Sequence, residues 1–338
     1  MSTNLSAGEL RAEAQRLASL GAWGEVHSLL SGQQDAVRQS IECTALLAEA
    51  LLRTGQSRMA GDWLSATLPA LRSTHDRRHF RRATMLWGAA YFEQGDLEQA
   101  RDAFNSALEL ARADADDVVE ARAMNNLGAI ANIEGKWAEA MALYNLAVSA
   151  HQRLGNRRGL AECYHNMAIT YRDLGRLEEA DELEQRSVAH ARDSDELRLV
   201  AHARLGRAEI ALRRGDPSLA EASARRVAKE FADAGDPVRE ADAWRLAGVA
   251  CTKQGKFTES RILLDEALER TRELGALLNA AETLRARAEL LAASGEPEMA
   301  LADARSALLL FHQLGAEREY AAILRWIERL DVDVDEGR

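Results

Sequence analysis

The chain has 338 residues, of which 47% are apolar, and its formal net charge is −11. This apolar fraction can bury an extended core and excludes a disordered chain. The acidic balance argues against a general nucleic-acid binder, and the absence of any run of 18 apolar residues argues against a membrane span. Cys43, Cys163 and Cys251 are far apart, which favours buried free thiols in a reducing compartment. We therefore predict a folded cytoplasmic protein without a nucleic-acid or membrane partner.

A short phrase recurs along the chain at a fixed interval. In the segment 135–140 a glycine opens a turn and an alanine follows five residues later, and the glycines of this frame are 40 residues apart from position 55 to position 295. A fixed period of this size is typical of a solenoid in which each helix pair contacts only its neighbours. The predicted turn glycines are Gly21, Gly55, Gly95, Gly135, Gly175, Gly215, Gly255 and Gly295.

The beginning of the chain is less regular than the rest. Residues 1–7 are predicted to form a loose end, and the solenoid is predicted to cover residues 8–330. The segment 72–82 contains five arginines and two histidines and is predicted to join the second helix pair to the third. Its histidines, four residues apart, could bridge a metal on a helix, and its arginines could meet phosphate or an acidic partner. A solvated linker is the favoured interpretation.

Repeats three to five define how the two helices of a pair pack. Seven residues before the turn glycine comes a small residue, such as Gly88 or Gly128, and nine residues after it comes Phe104, Tyr144 or, in the fifth repeat, Glu184. Spacings of three and four place such residues on one helix face. The small residue lets the paired helices approach, and the aromatic ring fills the gap. The acidic run 178–184, which includes Glu184, is predicted to be a solvated outer face.

This pattern resembles the tetratricopeptide repeat. The third repeat carries its frame as Thr84, Trp87, Gly88, Tyr91, Ala100 and Phe104. The 40-residue length is similar to the repeats of kinesin light chains, the Pins/LGN polarity adaptors and bacterial peptide-sensing regulators, and the chain is expected to be bacterial. The resemblance implies an all-α fold, a right-handed superhelical solenoid of about eight helix pairs and a capping helix, 17 helices in all. It also implies that the first helix of each pair lines a concave groove that holds a peptide.

The C-terminal half departs from the frame in repeat six and, at Arg287, in repeat eight. In repeat six Arg204 and Arg207 stand at offsets expected to be core, and the Leu205–Gly206 pair is out of frame by two. Either the first helix is rotated there, or the arginine stems lie along the surface. A capping helix is predicted over 316–330, because terminal repeats need a polar outer side. Residues 331–338 are predicted to be an acidic tail.

One stripe of the first helix should face the groove. Counted back from the turn glycine, it consists of offsets 13, 9, 6 and 2, bordered by offsets 10 and 3. In repeats four and five these positions are polar and form the candidate peptide-binding set: Arg122, Asn125, Asn126, Asn132, Glu162, His165, Asn166 and Arg172. An asparagine amide offers a donor and an acceptor to a peptide backbone. Alternatively, Asn126 and Asn166 bond between neighbouring helices, and the arginines pair with surface carboxylates.

No enzyme motif is present in the sequence. It lacks a phosphate-binding loop, a dinucleotide fingerprint, a zinc-protease motif and a nucleophile elbow. We therefore predict no catalytic residue, no metal and no cofactor. The leading hypothesis is an interaction scaffold that binds a peptide or protein segment. The alternatives are a peptide- or ligand-regulated signalling receptor that acts on a separate effector chain, and an enzyme subunit. An exposed apolar strip at Leu46, Leu86 and Leu246 is a candidate surface for a homo-oligomer.

Overall fold

The computed structural model describes residues 6–73 and 75–336, with side chains described through residue 330. Within these ranges there is no β-strand, and the regular structure consists of eighteen α-helices and one 3₁₀ helix, Leu68–Leu71. The α-helices are α1 (Ala7–Ser19), α2 (Trp23–Ser31), α3 (Gln34–Arg38), α4 (Ile41–Arg53), α5 (Ser57–Thr67), α6 (Arg77–Gln94), α7 (Leu97–Ala113), α8 (Asp117–Ile133), α9 (Trp137–Arg153), α10 (Arg157–Asp173), α11 (Leu177–Arg192), α12 (Leu197–Arg213), α13 (Pro217–Asp233), α14 (Pro237–Lys253), α15 (Phe257–Glu273), α16 (Leu277–Ala293), α17 (Pro297–Gln313) and α18 (Glu317–Glu336).

Consecutive helices pack in pairs, as α10 does with α11 and α16 with α17. The all-α repeat architecture predicted from the sequence is confirmed. The predicted count of 17 helices is wrong by one, because the connection after α2 forms the short helix α3. Val37 of α3 is buried, and its carbonyl accepts a hydrogen bond of 3.0 Å from Thr44 Oγ1. No helix among the described residues combines the length and the apolar character needed to cross a membrane.

The chain divides into two compact units, Met1–Ala123 and Met124–Arg338, with the boundary inside α8. One continuous solenoid over residues 8–330 therefore stays a prediction. Within the second unit, α10, α12, α14 and α16 contact one another in that order. These are the first helices of successive pairs, and they form one layer of the second unit.

The two ends of the chain differ from their predicted boundaries. Residues 1–5 lie outside the described residues, but Ser6 is already the N-cap of α1 and forms a capping box with Glu9. At the other end α18 continues to Glu336, six residues past the predicted end of the capping helix. The sequence explains this extension, because the segment 331–336 contains neither proline nor glycine. Residues 337 and 338 lie outside the described part of the chain.

Two sets of turns alternate along the chain with the same 40-residue period. The eight predicted turn glycines connect the helices within a pair, and their φ angles lie between 73° and 86°. The turns between pairs also need positive φ. Glycine supplies it at positions 155, 235, 275 and 315, but Ala115 has φ 51° and Asp195 has φ 55°. A left-handed conformation is unfavourable for a residue with a Cβ, so these two turns are strained relative to their equivalents.

The close approach of paired helices depends on the small residue of the first helix. A Cβ placed on Gly88 would lie 2.5 Å from the ring of Phe104, and one placed on Gly128 would lie 2.6 Å from the ring of Tyr144. In repeat seven the same contact joins Gly248 to a leucine side chain. The rings of Phe104 and Tyr144 are fully buried. This interlock repeats along the chain and fixes the distance between the helices of a pair.

The arginine-rich segment 72–82 is not a solvated linker along its whole length. Helix α6 begins at Arg77, and its first turns are held by ion pairs within the first unit. Arg77 Nε donates to Asp114 Oδ1 at 2.8 Å, and Arg81 Nη2 contacts Asp116 Oδ2 at 2.7 Å. Arg82 pairs with Glu49. The arginines are therefore used to anchor α6 to neighbouring helices.

The prediction of an exposed apolar strip is wrong. Leu46 is 4% exposed and Leu246 is 2% exposed, and each belongs to a core cluster of its own unit. Leu86 is half-buried and packs against the cluster that contains Leu46. A homo-oligomer formed through this strip is therefore not supported.

We expect Gly128→Ala to destabilise the second unit by about 1–3 kcal/mol, because the new methyl group overpacks against Tyr144. Urea denaturation followed by circular dichroism measures the change. Gly8→Ala is the matched control, since a Cβ at Gly8 meets nothing within 4 Å. Equal stabilities for the two variants would contradict the interlock.

We expect Ala115→Gly to stabilise the first unit by roughly 0.5–1 kcal/mol. The left-handed conformation costs a non-glycine residue roughly 1–2 kcal/mol, and part of the gain is lost to the larger chain entropy of glycine. Ala113→Gly, at the last residue of α7, is the control and should be neutral or destabilising. A lower unfolding midpoint for Ala115→Gly would show that the turn is not strained.

Candidate functional site

The candidate residues lie on two neighbouring first helices. Arg122 is exposed and belongs to the first unit, while the other seven belong to the second. Of these seven, three asparagines are on α8, and the remaining four residues are on α10. The structure therefore brings the asparagines of α8 next to the polar residues of α10.

The asparagines form hydrogen bonds between the two helices. Asn166 Nδ2 donates to Asn125 Oδ1 at 3.1 Å, and Thr170 Oγ1 donates to Asn132 Oδ1 at 2.8 Å. Asn125 and Asn132 are buried, whereas Asn126 and Asn166 are half-buried. Asn166 thus pairs with Asn125 and not with Asn126. These bonds match the alternative interpretation, in which the amides connect neighbouring helices.

His165 pairs with a buried carboxylate. Its Nδ1 lies 3.0 Å from both oxygens of Glu184, whose exposed fraction is 1%. Burial raises the pKa of Glu184 above its usual range, although the positive charges of His165 and Arg172 oppose the shift. The prediction that the whole run 178–184 is solvated is therefore wrong at Glu184, which occupies the place of the aromatic ring in this repeat.

The irregular frame of repeat six accommodates Glu184. A Cβ on Gly206 would lie 1.9 Å from Glu184 Oε1, so only glycine leaves room for the carboxylate. Arg204 pairs with Glu230 at 2.6 Å, and Arg207 pairs with Asp181 at 2.8 Å. These arginines therefore reach carboxylates of neighbouring second helices and do not enter the core.

His202 is a largely buried histidine next to this pair. Its ring packs edge-on against His165, at 5.8 Å between centroids, and against Phe231, at 5.1 Å. Burial lowers the pKa of His202 well below its usual range, and the positive charges of Arg239, His165 and Arg198 act in the same direction. Its Nε2 lies 4.0 Å from Asp236 Oδ2, but burial has the larger effect, so the folded state favours the neutral ring.

Arg172 belongs to a chain of ion pairs that crosses the layer of first helices. It pairs with Glu209 of α12, and Glu209 Oε1 lies 3.4 Å from Arg245 Nη2 of α14. Arg245 also contacts Asp242 at 2.7 Å and Glu282 of α16 at 3.3 Å. Glu162, the remaining candidate, pairs with Arg158 on its own helix at 3.1 Å.

These charged residues line a cavity of about 270 Å³ in the second unit. First helices α8, α10, α12, α14 and α16 contribute to its wall, together with the first turn of α18. The polar lining residues are Asn132, Arg172, Asp173, Glu209, Arg213, Arg245, Glu282, Arg285, Glu289, Arg318 and Glu319. Five are arginines and five are carboxylates, so the formal charges of the lining cancel.

The lining follows the stripe predicted from the repeat. Asn132 and Arg172 stand at offset 3, Glu209 and Glu289 at offset 6, and Arg245 at offset 10 before their turn glycines. Of the eight candidate residues, Asn132 and Arg172 line this cavity. The sequence reasoning missed the residues from repeats six to eight, although they occupy the same offsets. It also missed Arg318 and Glu319, which lie outside the repeat frame.

Two fully buried polar atoms in the lining lack a hydrogen-bond partner. They are Arg172 Nε, a donor, and Glu319 Oε2, an acceptor, and both are buried. A buried polar group without a partner is costly, and such groups are uncommon in folded proteins. The cavity therefore offers one fully buried donor and one fully buried acceptor to a ligand.

Two other clusters carry metal-ligand residue types. His79 lies 2.7 Å from Asp76 Oδ2 and 3.6 Å from Glu42 Oε1, in the first unit. In the second unit, Glu221, Cys251 and Glu259 place their ligand atoms within 4.8 Å of one another.

The second of these clusters is compensated by positive charges. The hydrogen bond from Lys256 lowers the pKa of Glu221 to about 2, and burial raises the pKa of Cys251 to about 11. Arg225 bridges Glu221 and Glu259. The thiol is therefore protonated near neutral pH, and the carboxylates are already paired, which fits an ion-pair cluster better than a metal site.

We expect the stability of the second unit to fall as the pH falls below about 6.5. The unfolded chain protonates His202 near that value, whereas the folded state holds it neutral, so acid favours unfolding. Denaturation at pH 7.5 and 5.5 measures the loss. His202→Gln should reduce it by ~1 kcal/mol, and His75→Gln, at an exposed position, controls for removing a histidine. An unchanged loss in the His202 variant would contradict a neutral buried ring.

Comparison with known families identifies the repeat. A tetratricopeptide repeat model matches residues 81–149 and 119–193, and a second tetratricopeptide repeat model matches residues 205–276. The Arabidopsis thaliana protein FLUORESCENT IN BLUE LIGHT, chloroplastic, is 32% identical over 93 residues, which make up 28% of this chain. The match spans 29% of that relative's length.

Several solved structures share the fold over nearly the whole chain. A Rap protein complexed with competence and sporulation factor has a TM-score of 0.62 at 15% identity and covers 98% of this chain and 99% of its own. NprR in complex with its cognate peptide NprX has a TM-score of 0.63 at 13% identity, with coverages of 99% and 100%. The Rap conjugation gene regulator of plasmid pLS20, in complex with the Phr* peptide, has a TM-score of 0.66 at 11% identity, with coverages of 91% and 95%.

The repeat matches together span more than half of the residues. They fall on the helix pairs α6 to α15, where the small-residue interlock and the 40-residue turns are present. The relatives of known structure are similar in fold over the same helices. By its sequence and by its architecture, this chain belongs to the tetratricopeptide repeat family.

Proposed function

We propose that this protein is an interaction scaffold that binds a peptide, or a segment of a partner protein, in the cavity of the second unit. The supporting observation is that the lining residues come from equivalent positions of successive repeats. Five successive first helices contribute residues from one stripe of offsets to one cavity. A repeated stripe of this kind is the surface that tandem-repeat proteins use for recognition.

The chemistry of the lining suits a polypeptide backbone. The formal charges cancel, so the cavity does not select a strongly charged ligand, and its two unpartnered atoms are a donor and an acceptor. A backbone amide offers the complementary acceptor and donor. Arg285 and Glu289, on one face of α16, are half-buried in the lining, and neither forms an ion pair with another described residue. They are therefore available to a ligand.

The structural relatives agree with this proposal. Two of the three structures described above contain a bound peptide, NprX or Phr*, and the third contains competence and sporulation factor. At 11–15% identity the likeness extends to the fold and not to the ligand. A signalling receptor that acts on a separate effector chain is the second candidate. It is favoured by the contact of α18 with the cavity. A ligand in the cavity would contact a helix outside the repeats, and a change in the position of that helix is a signal that an effector chain can detect.

Peptide retention tests the proposal. The protein is incubated with a pool of random hexapeptides, the complex is isolated by size exclusion, and the retained peptides are counted by mass spectrometry. We expect the wild-type protein to retain a subset of the pool. Arg285→Ala with Glu289→Ala should reduce retention about tenfold or more, which corresponds to ~1.4 kcal/mol of binding free energy.

The matched control removes the same pair of residue types from an outer helix. Arg270→Ala with Glu273→Ala changes two exposed residues of α15. This variant should retain peptides as the wild-type protein does. If the wild-type protein retains no peptide, or if the α16 variant retains as much as the control, the cavity is not the peptide site.

A further inference from the structure

The C-terminal helix α18 reaches the cavity although it is not part of the repeat stripe. It begins at Glu317, and its first turn places Arg318 and Glu319 in the lining. The lining also includes Arg172 and Asp173 at the end of α10, eight helices earlier in the chain. A helix that only capped the last pair, α16 and α17, would not need to reach α10, so this contact needs a separate explanation.

An ion pair holds α18 against α10. Arg318 Nη1 lies 2.9 Å from Asp173 Oδ2, and Arg318 Nη2 lies 2.6 Å from Glu319 Oε1. Asp173 is well buried, with 5% of its side chain exposed, and it also contacts Arg213 at 3.4 Å. Arg318 thus fixes the position of the first turn of α18 and orients the carboxylate of Glu319.

The second oxygen of that carboxylate is unused. Glu319 is 9% exposed, and its Oε2 has no hydrogen-bond partner. Arg172 Nε, in the same lining, has none either. Each side chain is already charge-paired through another atom, Arg172 with Glu209 and Glu319 with Arg318. Arg172 Nε lies 3.9 Å from Asp173 Oδ1, which is beyond hydrogen-bond distance. The two atoms are therefore the buried hydrogen-bonding capacity that these ion pairs leave unused.

We propose that α18 is part of the ligand site, with Glu319 Oε2 accepting a hydrogen bond from a backbone N–H of a bound peptide. Arg172 Nε donates to a backbone carbonyl of the same peptide. The inference rests on the proposed function, since it requires a peptide in the cavity. It assigns a binding residue outside the repeats and makes α18 a wall of the site as well as a cap.

A neutral amide fits these two groups better than an ionic ligand does. The charges of the lining cancel, so neither an anion nor a cation gains from the cavity as a whole. A ligand carboxylate would be repelled by Asp173 and Glu319, and a ligand ammonium would be repelled by Arg172, Arg213 and Arg318. An amide satisfies the donor and the acceptor without introducing a charge.

Glu319→Gln tests the contact. A glutamine keeps one side-chain oxygen and carries an NH2 donor in place of the other. If that oxygen accepts from Arg318, the NH2 group occupies the position of Oε2 and cannot accept from the ligand. Retention of the random hexapeptide pool should therefore fall about tenfold or more, as expected for a lost charge-assisted hydrogen bond. Glu328→Gln, at an exposed position of α18, is the matched control and should retain peptides as the wild-type protein does.

Hydrogen exchange in the wild-type protein provides a second readout that needs no variant to fold. With a hexapeptide recovered from the pool, exchange at the start of α18 should slow several-fold. If peptides are retained but Glu319→Gln has no effect and α18 exchange is unchanged, the role of α18 is overturned while the peptide site stands. If the wild-type protein retains no peptide, the proposed function and this inference fail together.

Discussion

The contact between a small residue on the first helix of a pair and a bulky side chain on the second is the constraint on which the structure depends. Gly88 with Phe104 and Gly128 with Tyr144 leave no room for a methyl group, so the distance between paired helices is set at these points. Because the contact recurs every 40 residues, equivalent offsets of successive first helices face the same way. The cavity of the second unit is a consequence of that register, since its lining is drawn from one stripe of offsets.

In repeat five a carboxylate takes the place of the aromatic ring in this contact. The carboxylate is that of Glu184, and its burial requires Gly206 on one side and His165 on the other. A buried carboxylate is costly unless it is hydrogen-bonded and charge-compensated. The compensating groups are two side chains of α10, His165 and Arg172, and Arg172 also lines the cavity. Repeat six therefore departs from the frame at Gly206 because the preceding pair buries the carboxylate of Glu184 against it.

Much of the fold could be predicted from the sequence, because the turn glycines and the small residues before them carry the period. The five-residue helix α3 could not, since it is too short to show a period. For the site, the offsets were predictable but the contributing repeats were not. The cavity takes offset 3 from Asn132 and Arg172 but offset 10 from Arg245 and Arg285. Which offset reaches the cavity therefore differs from repeat to repeat, and the sequence of a single repeat does not contain this difference.

The ion pair between Arg318 and Asp173 also alters how the second unit can come apart. In a linear array each repeat touches only its neighbours, so the last helices can fray without disturbing the first. Here an ion pair links α18 to α10, and helices α11 to α17 lie between these two helices in the chain. Fraying of the first turn of α18 must therefore also break a contact with α10. Local opening at α18 and at the end of α10 is coupled through this contact, although the two helices are far apart in sequence.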